Sequence, residues 1–250
     1  MKFKEYSSEK NISFYFFKIK TKNLCRFAQN LTVLILHNLG TNNSVLNQFI
    51  SEIRDVNIQN DAMRFRRNIE RIGEILSYEL SKTLAYTEAT VQTPLGNKAM
   101  ILPTNSLVLC SVLRAGIPLH QGLLNYFDTA ENAFISAYRY HLDNSDEFEI
   151  IVKYLAAPSL ENKTLILTDP MLATGKTLEN TYRALKSHGT PKQIHIVSVI
   201  GSKTGIDYIE NLFPENTHLW IAAIDEKLNA KGYIVPGLGD AGDLSYGTKL

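Results

Sequence analysis

From Pro103 onward the chain alternates short apolar runs with segments of helical period, and this alternation constrains the fold more than any other feature of its 250 residues. Residues 107–113, 133–138, 164–168, 193–200 and 219–224 read as strands, with 150–155 as a further candidate. Residues 116–127, 176–187 and 205–212 read as helices between them. Strands that are apolar on both sides must be covered on both sides, which predicts an α/β fold with a mainly parallel sheet flanked by helices. In such sheets ligands gather at the carboxyl ends of the strands. The loops after Leu113, Tyr138, Thr168 and Ile224 are therefore where chemistry is expected.

Upstream, Phe65, Ile69, Ile72, Ile75, Leu76 and Leu80 recur at helical spacing after Asp61 and predict a long amphipathic helix. Residues 92–97, with Pro94 and Gly96, read as a turn or small hairpin. Residues 1–30 show no sustained period and read as an extension, a candidate for disorder or the product of an unused upstream start. A single domain is expected over 31–250. Charged residues make up 20% of the chain and the net charge is +1, so no global field favours nucleic acid or an anionic membrane. Any anion must be held locally. Cys25 and Cys110 stand alone, which points away from disulfides and zinc and towards a reducing compartment. Neither a signal peptide nor an apolar run of the ~18 residues a membrane helix requires is visible, so a cytoplasmic location is expected.

Residues 164–189, TLILTDPMLATGKTLENTYRALKSHG, are the most informative stretch. A β-run ends at Asp169, a short loop follows, and an amphipathic helix starts near Lys176. The backbone N–H groups of Ala173 to Thr177 are expected to be unpaired there and to converge on a phosphate, helped by the helix dipole and the hydroxyls of Thr174 and Thr177. Gly175 lets the backbone approach closely. The Asp169 carboxylate suits a pair of ribose hydroxyls. A competing local reading makes Thr174 an N-cap and Asp169 a turn former. A triphosphate-binding P-loop is disfavoured by spacing, because GxxxxGK[ST] requires glycine where Pro170 stands.

Arg114 lies between an apolar strand and a helix start at Gly116. It is either an ion-pair anchor for a neighbouring carboxylate or a bidentate donor to phosphate, and the segment alone leaves both open. The carboxyl-terminal stretch is glycine-rich and reads as a loop, with Ile234, Val235 and Leu238 giving it something to bury. Its GDAGD run lacks the alternating oxygen ligands and distal Glu of an EF-hand.

The run DPMLATG resembles the phosphoribosyl-pyrophosphate (PRPP) loop of uracil phosphoribosyltransferases, in which Asp is followed by Pro as Asp169 is by Pro170. LRAG at 113–116, YR at 138–139 and DEKLNAKGYIVPGLGDAGDLSYGT at 225–248 are similar to that family's arginine and uracil loops. The resemblance implies a type I phosphoribosyltransferase fold with a small hairpin or hood over the base site. It also implies transfer of the 5-phosphoribosyl group of PRPP to uracil, giving UMP and diphosphate. By carry-over, Arg114, Arg139, Asp169, Pro170, Met171, Leu172, Ala173, Thr174, Gly175, Lys176, Thr177 and Asp240 bind PRPP. Ile234, Gly239, Asp240 and Ala241 bind uracil, and Arg114, Asp169 and Asp240 serve catalysis. Mg²⁺ is expected to arrive with PRPP without a direct protein ligand. The family comparison further suggests a homodimer or higher homo-oligomer and GTP as an effector, with no nucleic-acid or membrane partner.

This chain departs from the family at Lys176 and Thr177, where the usual loop continues Gly-Ser, at Pro118 and His120, and at Glu226 and Lys227. Residues 1–30 have no counterpart. The alternative from another class is a catalytically silent nucleotide-sensing or RNA-binding regulator on the same fold. RFRR at 64–67 is the one basic cluster that hints at it, and helical spacing makes it a solvated face.

Overall fold

Leucine, isoleucine and valine dominate the central strands, and the computed structural model of the chain buries them on both sides. It describes residues 34–104, 106–141 and 148–249, with backbone alone for 137–141 and 148–152. The extension assigned to residues 1–30 lies outside the described residues. In chain order the elements are β1 (Ile35–Asn38), α1 (Leu46–Arg54), α2 (Ala62–Ser81), β2 (Tyr86–Thr93), β3 (Gly96–Pro103), β4 (Leu107–Leu113), α3 (Gly116–Leu124), β5 (Glu131–His141) and β6 (Phe148–Ala156). There follow β7 (Thr164–Thr168), β8 (Met171–Leu172), α4 (Lys176–Leu185), β9 (Gln193–Ser202), α5 (Lys203–Glu210), β10 (His218–Asp225), β11 (Lys227–Leu228), β12 (Ile234–Val235) and α6 (Ala241–Tyr246).

The main sheet runs β1-β10-β9-β7-β4-β5-β6, with β8 beside β9. Its pairs are parallel except for β5 with β6. Side chains alternate across it as the pleat requires. Leu107 and Leu109 join one core with α1, α2 and α3, whereas Val108, Cys110 and Val112 join the other with α4 and α5. The expected mainly parallel, doubly covered sheet is therefore present. The carboxyl ends of β4, β7, β9 and β10 share one edge.

Asp61 starts α2 by accepting hydrogen bonds from the N–H groups of Met63 and Arg64. Phe65, Ile69, Ile72, Leu76 and Leu80 are buried as their spacing predicts, while Ile75 is only partly so. α2 and α3 touch backbone to backbone: a Cβ on Gly122 would stand 2.2 Å from the Glu70 carbonyl oxygen. Some bounds differ from the sequence reading. α3 stops at Leu124 and α4 at Leu185, where one 3₁₀ turn (Lys186–His188) follows. β1 and α1 precede Asp61, where no element was expected. The predicted turn at 92–97 is the tip of a hairpin, β2 with β3, that pairs from Tyr86–Pro103 to Thr93–Gly96. Both of its faces are largely exposed, so no apolar alternation marks it.

At the opposite end of the sheet, His37, His218, Trp220 and His195 lie on one face of β1, β10 and β9. His37 and His218 share a hydrogen bond of 2.9 Å, and the Trp220 indole donates to Nδ1 of the fully buried His195 at 3.1 Å. An indole N–H can only donate, so Nδ1 of His195 is unprotonated and the ring is neutral. Burial, then His218 and His37, lowers its pKa from the ordinary 6.5 to about 3. A lowered folded-state pKa contributes stability that is complete above the unfolded value and is lost as pH falls from there towards the folded value. Below about pH 6 this histidine alone is expected to remove about 1.4 kcal/mol of stability per pH unit. His195→Asn keeps an acceptor for Trp220 but does not titrate, so its urea-unfolding free energy should fall less steeply between about pH 6 and pH 4.5. Equal slopes for the two proteins would refute this assignment.

Candidate active site

Three stretches meet at the carboxyl edge. The first follows β7. Asp169 is 8% exposed, and its Oδ1 accepts from the N–H of Met171 at 3.2 Å. The Pro170 carbonyl accepts from the N–H groups of Val199 and Ile200, and Met171 and Leu172 then run beside β9 as β8. The loop is pinned from α5 as well: the buried Ser202 hydroxyl donates to the Ala173 carbonyl at 2.6 Å while accepting from the Gly205 N–H that opens the helix. Gly175 sits at φ +79° and turns the chain into α4.

The expectation that every amide from Ala173 to Thr177 is unpaired needs correction. The Ala173 N–H closes a tight turn onto the Met171 carbonyl at 2.9 Å, and the Lys176 N–H reaches the Thr174 hydroxyl at 3.4 Å. The amides of Thr174, Gly175 and Thr177 have no partner among the described residues. The N-cap of α4 is Gly175, without a side-chain cap bond, so the competing reading of Thr174 as N-cap is not met; its hydroxyl makes only a local turn. Lys176 is exposed at the start of α4.

The second stretch follows β4. The Leu113–Arg114 peptide is cis, and Arg114 Nη2 donates to Asp243 Oδ1 at 3.1 Å and to the Gly247 carbonyl at 3.0 Å. Of the two readings left open for Arg114, the ion pair is the one the structure contains. Arg139 lies in β5 opposite Ile150 of β6, and its side chain is outside the described residues.

The third stretch is carboxyl-terminal. Asp225 ends β10, takes both arms of Arg54 at 2.8 and 2.9 Å, and accepts from the Gly237 N–H at 2.9 Å. Arg54 also donates to the Gly237 carbonyl. This double clamp fixes the turn after β12, in which Val235–Pro236 is cis and Gly237 has φ +62°. β11 and β12 form the small hairpin of the expected hood. Ile234, Leu238 and Ala241 are buried, whereas Val235 is 41% exposed, against expectation. The stretch expected to be only a loop contains a short helix, α6, because Asp240 caps it: its Oδ1 accepts from the N–H groups of Gly242 at 2.8 Å and Asp243 at 3.0 Å. Burial pushes the Asp240 carboxyl up, but the Asp243 N–H, Lys249 and the Gly242 N–H outweigh it and hold the pKa below the usual value. A cavity of about 530 Å³ takes in Gly239, Asp240 and Asp243 together with Gln59 and Asn60, but no residue of 169–177.

Arg54, Ser202, Gly205 and Asp243 were not singled out from the sequence. The bonds of Arg54 and Arg114 to their carboxylates span 171 and 129 residues, which no local pattern records. The arginines of RFRR are engaged within the chain: Arg64 pairs with Glu52, Arg67 with Glu70, and Arg66 donates to the Ser245 carbonyl.

A parallel sheet with an aspartate-led loop opening a helix at its carboxyl edge and a separate hood beside it defines a type I phosphoribosyltransferase. A family model described as uracil phosphoribosyltransferase matches residues 40–248. A uracil phosphoribosyltransferase of Porphyromonas gingivalis is 53% identical over 216 residues, covering 86% of this chain and 99% of that one. One from Thermococcus gammatolerans is 38% identical over 206 residues, covering 81% and 89%. The solved structure of the AQ2163 protein from Aquifex aeolicus superposes with a TM-score of 0.76 at 30% identity, over 86% of this chain and 100% of that one. The chain belongs to the uracil phosphoribosyltransferase family.

Two substitutions test the supports. Arg54→Ala leaves the Asp225 carboxylate, 9% exposed, without its cation, and should cost about 3 kcal/mol in denaturant unfolding, the low end for a broken buried pair because Arg54 keeps some solvent contact. A loss below about 1 kcal/mol would put the pair in the surface class. Gly205→Ala would set a Cβ 2.2 Å from the Ala173 carbonyl oxygen. That variant should remain folded but bind PRPP more weakly, and an unaltered PRPP titration would mean that α5 does not shape the loop.

Proposed function

We propose that residues 31–250 form one catalytic domain that transfers the phosphoribosyl group of PRPP to uracil, releasing diphosphate and UMP. The observation that carries this reading is the direct bond from Arg114, after β4, to the carboxyl-terminal stretch, at the same sheet edge as the Asp169 loop. The 5′-phosphate rests on 170–177, where the open amides of Thr174, Gly175 and Thr177 and the start of the ten-residue α4 favour an anion. The positive charge of Lys176 adds to that preference. Pro170, Met171, Leu172 and Ala173 shape the loop through their bonds to β9 and α5. Asp169 receives the ribose hydroxyls, and Arg114 and Arg139 take the diphosphate. Ile234, Gly239 and Ala241 offer backbone groups to uracil. Fixed donors and acceptors reject cytosine, whose pattern on that edge is reversed, by leaving buried groups unpaired.

In the reaction uracil N1 forms a bond to the anomeric carbon as the bond from that carbon to diphosphate breaks. The electron pair leaves with diphosphate, and positive charge builds on the ribose. Arg114 and Arg139 stabilise the leaving charge, and the phosphate loop and Asp169 hold the ribose in line. The N1 proton passes to water. Asp240 is a poor base, because two backbone N–H groups and Lys249 hold its carboxylate ionised, so it acts through charge and position.

The described residues contain no group of three His, Cys, Asp or Glu side chains able to cage a metal. A Mg²⁺ carried by PRPP would lie beside Asp169, whose carboxylate receives the ribose hydroxyls. When bound there, the ion neutralises part of the diphosphate charge. The exposed β2–β3 hairpin, with Val91, Met100, Ile101 and Leu102 at its surface, supports a homodimer or higher homo-oligomer. GTP as an effector rests on the family resemblance alone, and a cytoplasmic location on cysteine usage.

The test is a diphosphate-release assay with uracil, cytosine, hypoxanthine and orotate. Release with uracil alone is expected, and release with orotate or hypoxanthine but not uracil would overturn the substrate. Asp169→Asn keeps the acceptor for Met171 and removes the charge. It should lower kcat/KM for PRPP by about 30-fold, equivalent to about 2 kcal/mol of transition-state stabilisation.

A further inference from the structure

Arg114 is the point at which the two halves of the site touch. Its guanidinium spends Nη2 on the carboxyl-terminal stretch, at 3.1 Å to Asp243 Oδ1 and 3.0 Å to the Gly247 carbonyl. Its Nε–H and Nη1–H donors have no partner among the described residues. Both members of the ion pair are open to solvent, 40% for the Arg114 side chain and 30% for Asp243. A screened, singly bonded pair of this kind is weak. A diphosphate, with several anionic oxygens arranged for bidentate contact, is the stronger partner for a guanidinium. The carboxylate left behind would not be stranded: Lys249 Nζ already lies 3.9 Å from Asp243 Oδ1 while it bonds Asp240 Oδ2 at 3.3 Å.

We propose that Asp243 is a positioning residue that holds Arg114 in the substrate-free protein and yields it to the diphosphate, with Lys249 taking over the released carboxylate. The inference rests on the reading of Arg114 as the diphosphate arginine. Asp243 thus competes with the ligand for one side chain. The exchange also gives the carboxyl-terminal stretch, which carries the base site, a bond that changes when the leaving group binds.

Asp243→Asn keeps the shape of the side chain and the backbone bonds of α6 while removing the charge. In calorimetric titrations of the full chain, this variant should bind inorganic diphosphate about two- to fivefold more tightly than the parent, the size of a lost surface pair. Its affinity for ribose 5-phosphate, which the loop at 170–177 takes without Arg114, should not change. Asp243→Glu retains the charge and should titrate diphosphate like the parent. Equal tightening for both ligands would mean that Asp243 acts only through the general field, and would overturn the proposal. So would unchanged or weaker diphosphate binding in Asp243→Asn, or no diphosphate binding by the parent. If the parent binds diphosphate with this pattern but makes no UMP from uracil and PRPP, the exchange stands and the assigned reaction fails. If it makes UMP and Asp243→Asn titrates as the parent does, the exchange alone fails.

Discussion

Burial on both faces leaves the central strands no room for an unpartnered charge except at their ends, and the layout of the site follows from this. Three carboxylates are buried among the described residues, those of Glu52, Asp169 and Asp225. Glu52, in α1, is held ionised, with a pKa of about 2, chiefly by hydrogen bonds from Arg64, Asn68 and Gln48. The other two stand at the carboxyl ends of β7 and β10. A buried charge is tolerated only with partners. Asp225 has Arg54 and the Gly237 N–H, and becomes a structural anchor for the hood. Asp169 accepts from the Met171 N–H, and it is the end-of-strand carboxylate that we propose receives the ribose hydroxyls.

This contrast explains how one sheet edge carries both scaffold and chemistry. The carboxylate at β10 is satisfied by a bidentate arginine from α1, which ties the first helix of the domain to its carboxyl-terminal loop. The turn beyond it then presents backbone groups in a fixed order, the arrangement that we propose recognises the base without a dedicated side chain for each contact. The phosphate side works in the same way. The Ser202 hydroxyl bonds the Ala173 carbonyl and accepts from the Gly205 N–H, which ties the loop to the start of α5.

The parts of this design differ in how far they were legible in the sequence. The central strands β4, β7, β9 and β10 were legible because both faces are apolar, and the loops because Asp169, Gly175 and the Gly237–Gly242 run break the period at the strand ends, whereas β8 was read as part of a loop. β1 and the β2–β3 hairpin were not. β1 is four residues of mixed character, and the hairpin exposes both faces, so neither carries a period. α6 was hidden by Gly242 within it and by Gly239 and Gly247 around it, and the cap that starts it lies in the Asp240 side chain. Motif patterns identify Arg114, but only the folded chain supplies Asp243 as its partner. The same holds for Arg54 and Asp225. Pairings between segments this far apart depend on the topology, which is itself the product of burial.

The site also shows a gradient of exposure and bonding that suits the reaction. Asp169 is nearly enclosed and its loop is bonded to β9 and α5, whereas the Arg114 side chain is 40% exposed and held by a screened pair. Displacement at an anomeric carbon requires the sugar to stay in line while two other groups change place: diphosphate departs and the base moves in. A rigid cradle for the ribose and 5′-phosphate keeps the anomeric carbon in line during the exchange, because both remain on one product throughout. A rigid grip on the diphosphate would slow its release. Residues that let go should therefore sit at the low-stability end of the structure. Arg114, which we propose takes the diphosphate, lies on a loop, is 40% exposed and is bonded to a carboxylate that has a second cation within reach.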